Sequence, residues 1–358
     1  MEITDLGLTE EAKSYIENND SFQNTIGRVT REDRERYIVS TGEKEYEAEI
    51  TGNMRFTASS RADFPAVGDW VKISVYDTDM AVIHAVLPRK SVLERQSVSN
   101  YGDKQLIAAN VDTAFIVQSA DSNFNINRLE RYLVICQNSG IEPVMVISKT
   151  DLAADREILD AADTLRSRDR KLKYLLVSNI TGDGLDEISG LIEKGKTYCF
   201  LGSSGVGKST LINNILGREL LNTREISTST GKGRHTTSRR ELIVLENGGI
   251  IIDTPGMREL GITDVKDGIE KIFEDITELG KNCRFSDCRH VNEKGCAVID
   301  AMEKGHISRE SVENFRKLQL EQQHFASTVA EKRKKDKAFG KMVKSFKKDI
   351  KRLNSDQE

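Results

Sequence analysis

The sequence predicts a multidomain chain: a small N-terminal β-barrel, a central α/β domain on a mostly parallel sheet, and a C-terminal helical domain built around a metal-binding cluster. Three observations carry this. Residues 25–95 hold five short runs rich in Val, Ile, Tyr and Thr. Residues 96–262 alternate apolar strands with amphipathic helices, and residues 263–358 turn helical around three cysteines and a histidine.

The first 24 residues carry few large apolar side chains and are expected to form a flexible lead-in. The five β runs are Ile26–Val29, Arg36–Ser40, Tyr46–Ile50, Trp70–Val75 and Ala81–Val86, separated by turns such as Thr41-Gly42-Glu43 and Val67-Gly68-Asp69. Five short strands at this spacing suit a barrel of the oligonucleotide-binding (OB) type.

In the central region, strands are expected at Asp112–Val117, Glu142–Ile147, Tyr174–Val177, Thr197–Leu201 and Ile250–Asp253. Amphipathic helices are expected over Arg128–Ile135 and from Ser209 to Leu216. Nearly continuous apolar strands alternating with helices indicate a parallel sheet covered on both faces.

With 358 residues, the chain is long enough for two or three cored domains. It is 31% charged and 37% hydrophobic, an ordinary soluble composition. No apolar run approaches membrane-spanning length, and the acidic start Met1-Glu2-Ile3-Thr4-Asp5 is unlike a signal peptide. The expectation is a cytoplasmic, monomeric protein with no membrane partner.

The net charge of −4 conceals a basic end. Residues 331–352 hold eleven Lys and Arg against three carboxylates, so the rest of the chain is acidic. One basic arm of this kind suits a phosphate-rich surface. An odd count of five cysteines, three of them clustered near a histidine, points to metal in a reducing compartment.

The chemistry lies in four motifs. Gly202-Ser203-Ser204-Gly205-Val206-Gly207-Lys208-Ser209, continuing into Thr210, is a full phosphate loop between an apolar strand and a helix. Its backbone N–H groups would close around the β-phosphate. Lys208 would reach the β- and γ-phosphates, and the Ser209 hydroxyl would ligate Mg²⁺.

Downstream, an apolar strand ends in Asp253-Thr254-Pro255-Gly256. Asp253 fits a carboxylate holding Mg²⁺ through water, and the Gly256 N–H fits a donor to the γ-phosphate. Between these motifs lies the basic loop Gly231–Thr237, whose Thr236 would cap Mg²⁺.

Ser148-Lys149-Thr150-Asp151 closes another strand. The Asp151 carboxylate can accept from guanine N1–H and the exocyclic amine together, a donor pair adenine lacks. Lys149 would lay its stem along the base. Ser178-Asn179, at the next strand end, would reach guanine O6 through backbone N–H. Position 148 is usually Asn in this motif, and serine is expected to weaken base affinity.

In the usual chain order the base reader follows the phosphate loop; here it precedes it by about fifty residues. The expected class is therefore a circularly permuted phosphate-loop GTPase. Met257 stands where many GTPases keep a water-orienting glutamine, and methionine cannot orient water. His235 is the nearest candidate for that catalytic role, with slow turnover that a partner accelerates by ordering the loop.

Cys283, Cys288, His290 and Cys296 form a Cys-x₄-Cys-x-His-x₅-Cys pattern. Three thiolates and an imidazole make a closed tetrahedral site for one structural Zn²⁺. Because the Asp253 motif leads into this segment, loss of the γ-phosphate is expected to move the zinc domain.

Taken together, these motifs resemble the ribosome small-subunit-dependent GTPase A (RsgA) family. The most specific matches are Asn125–Tyr132, Gly231–Thr237 and Cys283–His290, and the resemblance runs from about residue 25. It implies a late assembly factor of the bacterial 30S subunit that binds 16S rRNA through the barrel and zinc domain. It also implies that the 30S subunit stimulates GTP hydrolysis to GDP and phosphate, linked to release of the factor. Ser148 and Lys294, the latter where a proline is common, depart from the pattern.

Two other readings are open. One is an RNA-binding scaffold whose nucleotide site gates binding without hydrolysis; intact Lys208, Ser209 and Asp253 argue against it. The other is a kinase, for which no acceptor-binding domain is recognisable.

Overall fold

The structure is a computed structural model. It describes residues 1–18, 25–33, 36–58, 60–96, 104–121, 124–168, 172–218, 240–253 and 265–327. His235, Thr236, Gly256, Met257 and the basic segment 331–352 lie outside the described residues.

The chain opens with a 3₁₀ turn, Ile3–Leu6, and helix α1, Glu10–Asn18. Strands β1 (Thr25–Asp33), β2 (Arg36–Ser40) and β3 (Glu45–Ile50) follow, then helix α2 (Gly52–Thr57), then β4 (Trp70–Asp77) and β5 (Met80–Val86). β1 pairs with both β2 and β4, and β3 pairs in parallel with β5, so the five strands close into a barrel. Val29, Tyr37, Val39, Ala48, Val71, Ile73 and Ile83 fill it. All five strands expected from the sequence are present, and β2 has the expected bounds.

The flexible lead-in expected over residues 1–24 needs correcting for residues 3–18. Leu6 and Ala12 are buried against Trp70 and Leu87, and the Leu6 carbonyl accepts from buried Arg28. Two buried anchors and a backbone carbonyl hold this segment, with Ile3, Leu8 and Tyr15 packed partly buried beside them. These apolar residues are sparse and lack a strand or long-helix period, so the packing that anchors them shows only in the fold.

The α/β region contains the hairpin β6 (Val92–Gln96) and β7 (Lys104–Ala109), then β8 (Thr113–Ser119), α3 (Ile126–Ser139), β9 (Glu142–Ser148), α4 (Asp155–Arg168), β10 (Tyr174–Val177) and α5 (Leu185–Leu191). It continues through β11 (Thr197–Leu201), α6 (Lys208–Leu216), β12 (Arg240–Val244) and β13 (Ile250–Asp253). Strands β10, β9, β8, β11 and β13 run parallel in that order, with β12 antiparallel at the end. Alternate residues face opposite layers: Ala114, Ile116, Met145 and Ile147 on one side, Phe115, Val117, Val144 and Val146 on the other. That is why these strands read as apolar throughout.

Barrel and α/β sheet are continuous. β1 bends at a bulge between Val29 and Arg31; its first half closes the barrel and its end pairs with β12. The ion pairs Arg31–Glu241 (2.7 Å) and Arg240–Glu32 (3.2 Å) span this joint. The hairpin β6–β7 straddles the domain boundary expected at 95/96, and its Leu93 and Ile107 pack in the α/β core.

The described part of the C-terminal region has four helices: α7 (Lys266–Ile272), α8 (Glu274–Gly280), α9 (Ala297–Glu303) and α10 (Arg309–Ala326). Val265, Ile269, Phe273, Ile276, Val298, Val312, Phe315 and Leu318 form its core, together with Val134 from α3.

Candidate functional site

Among the described residues, those expected to bind nucleotide gather at the C-terminal ends of β9, β10, β11 and β13. Ligands of open α/β sheets bind at this edge. The phosphate loop leaves β11 at the centre of the sheet. At its first residue, Gly202 has φ +151°, and a Cβ there would sit 2.3 Å from the Val117 carbonyl. The loop can therefore lie this close to β8 only with glycine. α6 starts at Lys208, so its N-terminal N–H groups point into the loop. The Lys208 Nζ donates to the carbonyls of Gly202 and Ser203, both at 2.7 Å.

Both strand ends expected to read the base are tied to that loop. Buried Ser148 donates its one hydroxyl proton to the Val206 carbonyl (2.7 Å), with the Gln118 carbonyl as the longer alternative acceptor at 3.2 Å. The Asn179 amide donates to the Gly207 carbonyl at 3.1 Å. Lys149 has φ +58°, and its Nζ is 3.4 Å from Asp121. Ser178 donates to Asp151 at 2.6 Å and accepts from the Ile180 and Thr181 N–H groups. That bond holds one Asp151 oxygen while the side chain as a whole stays exposed at the sheet edge. Thr150 lies in the short 3₁₀ turn between Lys149 and Asp151.

Asp253 ends β13, opposite Glu241 of β12. Burial pushes its carboxyl up to about 6, with Lys208 pulling it down and Glu241 pushing it up. A cation beside it would offset that cost.

Sequence reasoning did not single out Gln118 or Arg128 as site residues. Gln118 exchanges two hydrogen bonds with the Asn125 backbone, and the Asn125 side chain caps α3 by accepting from the Arg128 N–H at 2.9 Å. The Arg128 guanidinium donates to Ser203 Oγ in the phosphate loop at 3.0 Å. Asn before an apolar helix is a readable cap signal. The reach of Arg128 depends on tertiary geometry.

The Cys/His cluster assembles as its spacing suggests. The ligand atoms of Cys283, Cys288, His290 and Cys296 all lie within 4.8 Å of one another, an arrangement that can hold a metal ion. His290 adopts φ +55° and presents Nδ1, 3.3 Å from the Cys296 Sγ and 3.7 Å from the Cys283 Sγ. The Cys296 Sγ accepts from the Ile299 N–H at 3.5 Å, capping α9.

A phosphate loop on the central strand, an acidic strand end beside it, and base readers earlier in the chain define a circularly permuted phosphate-loop GTPase. The family model described as RsgA GTPase matches residues 86–263, and one described as 50S ribosome-binding GTPase matches residues 197–332. The chain is 41% identical over 323 residues to the small ribosomal subunit biogenesis GTPase RsgA 1 of Bacteroides thetaiotaomicron, covering 90% of each chain. It is 43% identical over 322 residues to RsgA 2 of Lactiplantibacillus plantarum, covering 88% of this chain and 89% of that one. Among solved structures, YjeQ from Thermotoga maritima matches with a TM-score of 0.59 at 27% identity, over 85% of this chain and all of that one. YloQ, a circularly permuted GTPase, shares the fold with a TM-score of 0.57 over 87% of this chain and 99% of that one. The chain belongs to the RsgA GTPase family and is a GTPase.

Proposed function

We propose that the chain hydrolyses GTP to GDP and phosphate under stimulation by the small ribosomal subunit, and acts in late 30S assembly through contacts with 16S rRNA. The observation that carries the nucleotide half is the bracing of the base readers on the phosphate loop, Ser148 to Val206 and Asn179 to Gly207, with Ser178 to Asp151 joining the two base-reading strand ends. In this reading Asp151 takes guanine N1–H and the exocyclic amine, and Lys149 stacks along the base. Residues 202–210 hold the phosphates. Ser209 and Thr236 would ligate Mg²⁺ and Asp253 would hold it through water, where it would offset the phosphates' charge; the Gly256 N–H would donate to the γ-phosphate and His235 would orient water. The subunit half rests on relatives named as small-subunit biogenesis GTPases.

The metal in the Cys/His cluster is proposed to be one structural Zn²⁺. A tetrahedral zinc with bonds of about 2.3 Å to sulfur places thiolates about 3.8 Å apart. The Cys283 and Cys296 sulfurs are 3.7 Å apart. Four protein ligands leave no open coordination position, so the ion's role is to hold the fold. Among the described residues no helix is long and apolar enough to cross a membrane, which accords with cytoplasmic work.

The test is GTP hydrolysis by the purified protein alone, with isolated 30S and with isolated 50S subunits, beside a Lys208→Ala control. Stimulation by 30S alone supports the proposal. Stimulation by 50S would favour the large subunit that the second family model names. GTP binding without any stimulation would favour an RNA-binding module gated by nucleotide.

A further inference from the structure

Helix α3 is the one element of the α/β domain whose side chain enters the core of the metal-binding helical domain, among the described residues. Its faces divide cleanly. Ile126, Leu129, Tyr132, Leu133 and Cys136 pack on the sheet. Asn127, Glu130, Arg131 and Val134, spaced as one helical stripe, meet the helical domain. Asn314 of α10 donates to buried Glu130, and Asn127 donates to Glu310 at 3.5 Å. Arg131 grips Glu321 of α10 with two bonds of 2.7 Å. α7 lies so close that a Cβ on Gly268 would sit 2.5 Å from the Val134 carbonyl.

At the N-terminal end of the same helix, Arg128 holds Ser203 Oγ. Ser203 is also one of the two residues whose carbonyls accept from Lys208. A bound phosphate offers Lys208 a charged acceptor, stronger than either carbonyl. Nucleotide binding therefore changes the bonding of the residue that Arg128 holds. Packed interiors are stiff, so a shift imposed at one end of α3 is felt along its length.

We propose that Arg128 is a positioning residue that couples the phosphate loop, through α3, to α10 of the metal-binding domain, so that this domain reads the nucleotide state. The coupling rests on the guanine-nucleotide reading of the loop. It supplies a route distinct from the chain connection between Asp253 and Val265. It acts through Ser203.

The test is hydrogen–deuterium exchange of the full, metal-loaded chain, without nucleotide and with saturating GDP or a non-hydrolysable GTP analogue, read on peptides covering residues 309–326. The wild type should show a nucleotide-dependent change in protection there. Arg128→Ala and Ser203→Ala should each remove more than half of that change, and the double variant should remove no more than either alone. Arg128→Lys, which keeps a cationic N–H donor but not the planar fork, should restore part of it. A purely structural role would alter exchange equally with and without nucleotide. Ser203→Ala makes the smaller change and serves if Arg128→Ala fails to fold. Fluorescent-nucleotide titration of every variant runs in parallel. A wild-type-sized change in either alanine variant that still binds nucleotide would overturn the proposal. So would the absence of any change in a wild type that binds it. Failure of the wild type to bind guanine nucleotide would instead overturn the underlying reading, and the coupling with it.

Discussion

At the scale of single residues, Ser148 shows how an apparent departure is absorbed. A serine in place of the usual Asn is expected to weaken base binding. The structure shows its hydroxyl fully buried, bracing the phosphate loop through Val206. Ser148→Ala leaves that carbonyl short of a donor, a loss of about 1 kcal/mol or somewhat more. GDP affinity should fall roughly five- to tenfold, as measured by fluorescent-nucleotide titration; unchanged affinity would mean the brace is idle. Asp253 gives a pH signature. Its folded value of about 6 stands above the ordinary carboxylate value of about 3.9. The folded chain thus holds this proton more tightly than the unfolded one. Ionising Asp253 as pH rises through about 6 costs stability. Mg²⁺ needs the ionised form, so metal-dependent nucleotide affinity should weaken as pH falls below about 6, roughly tenfold by pH 5. Asp253→Asn cannot titrate and should lack that component, which titrations at pH 5 and 7.5 would read.

At the scale of elements, strands were the most legible part of the sequence. β2, β10, β11 and β13 occupy the expected residues, because β-branched runs bounded by turns have few alternatives. The hairpin β6–β7 was not legible. Its residues include Glu94, Arg95 and Lys104, and their pairings (Lys104 with Glu94, Arg95 with Gln105) appear only once the strands meet. Helix α1 escaped for a similar reason, since its only buried side chain is Ala12. On α3 the polar residues Asn127, Glu130 and Arg131 look like a solvated face, yet they meet the helical domain. The contact between α3 and α7 makes a direct prediction. Gly268→Ala pushes a methyl group against the Val134 carbonyl. It should destabilise the chain by about 1–3 kcal/mol, seen as a lower melting temperature. An unchanged melting temperature would mean the two helices part without cost.

At the scale of the whole molecule, the barrel, the α/β domain and the N-terminal segment share one buried cation. Arg28 is fully buried and donates to Leu6, Gly68, Asn110 and Thr197, joining all three. A sequence scan reads it as one more charged residue on a strand. Motif order is the opposite case, a whole-molecule property written in the sequence. Ser148–Asp151 and Ser178-Asn179 precede the phosphate loop in the chain, and the parallel sheet brings all three together at one edge. The account depends on that edge reading guanine through Asp151. Xanthine carries a carbonyl oxygen where guanine has its exocyclic amine, and an Asn side chain can donate to it where Asp cannot. The decisive measurement is the affinity of wild type and Asp151→Asn for GDP and for xanthosine diphosphate. The account predicts that the wild type prefers GDP and that Asp151→Asn loses GDP by roughly thirty- to 150-fold, about two to three kcal/mol for an unpaired donor pair, while gaining the xanthine nucleotide. Equal GDP affinity in both proteins would contradict it.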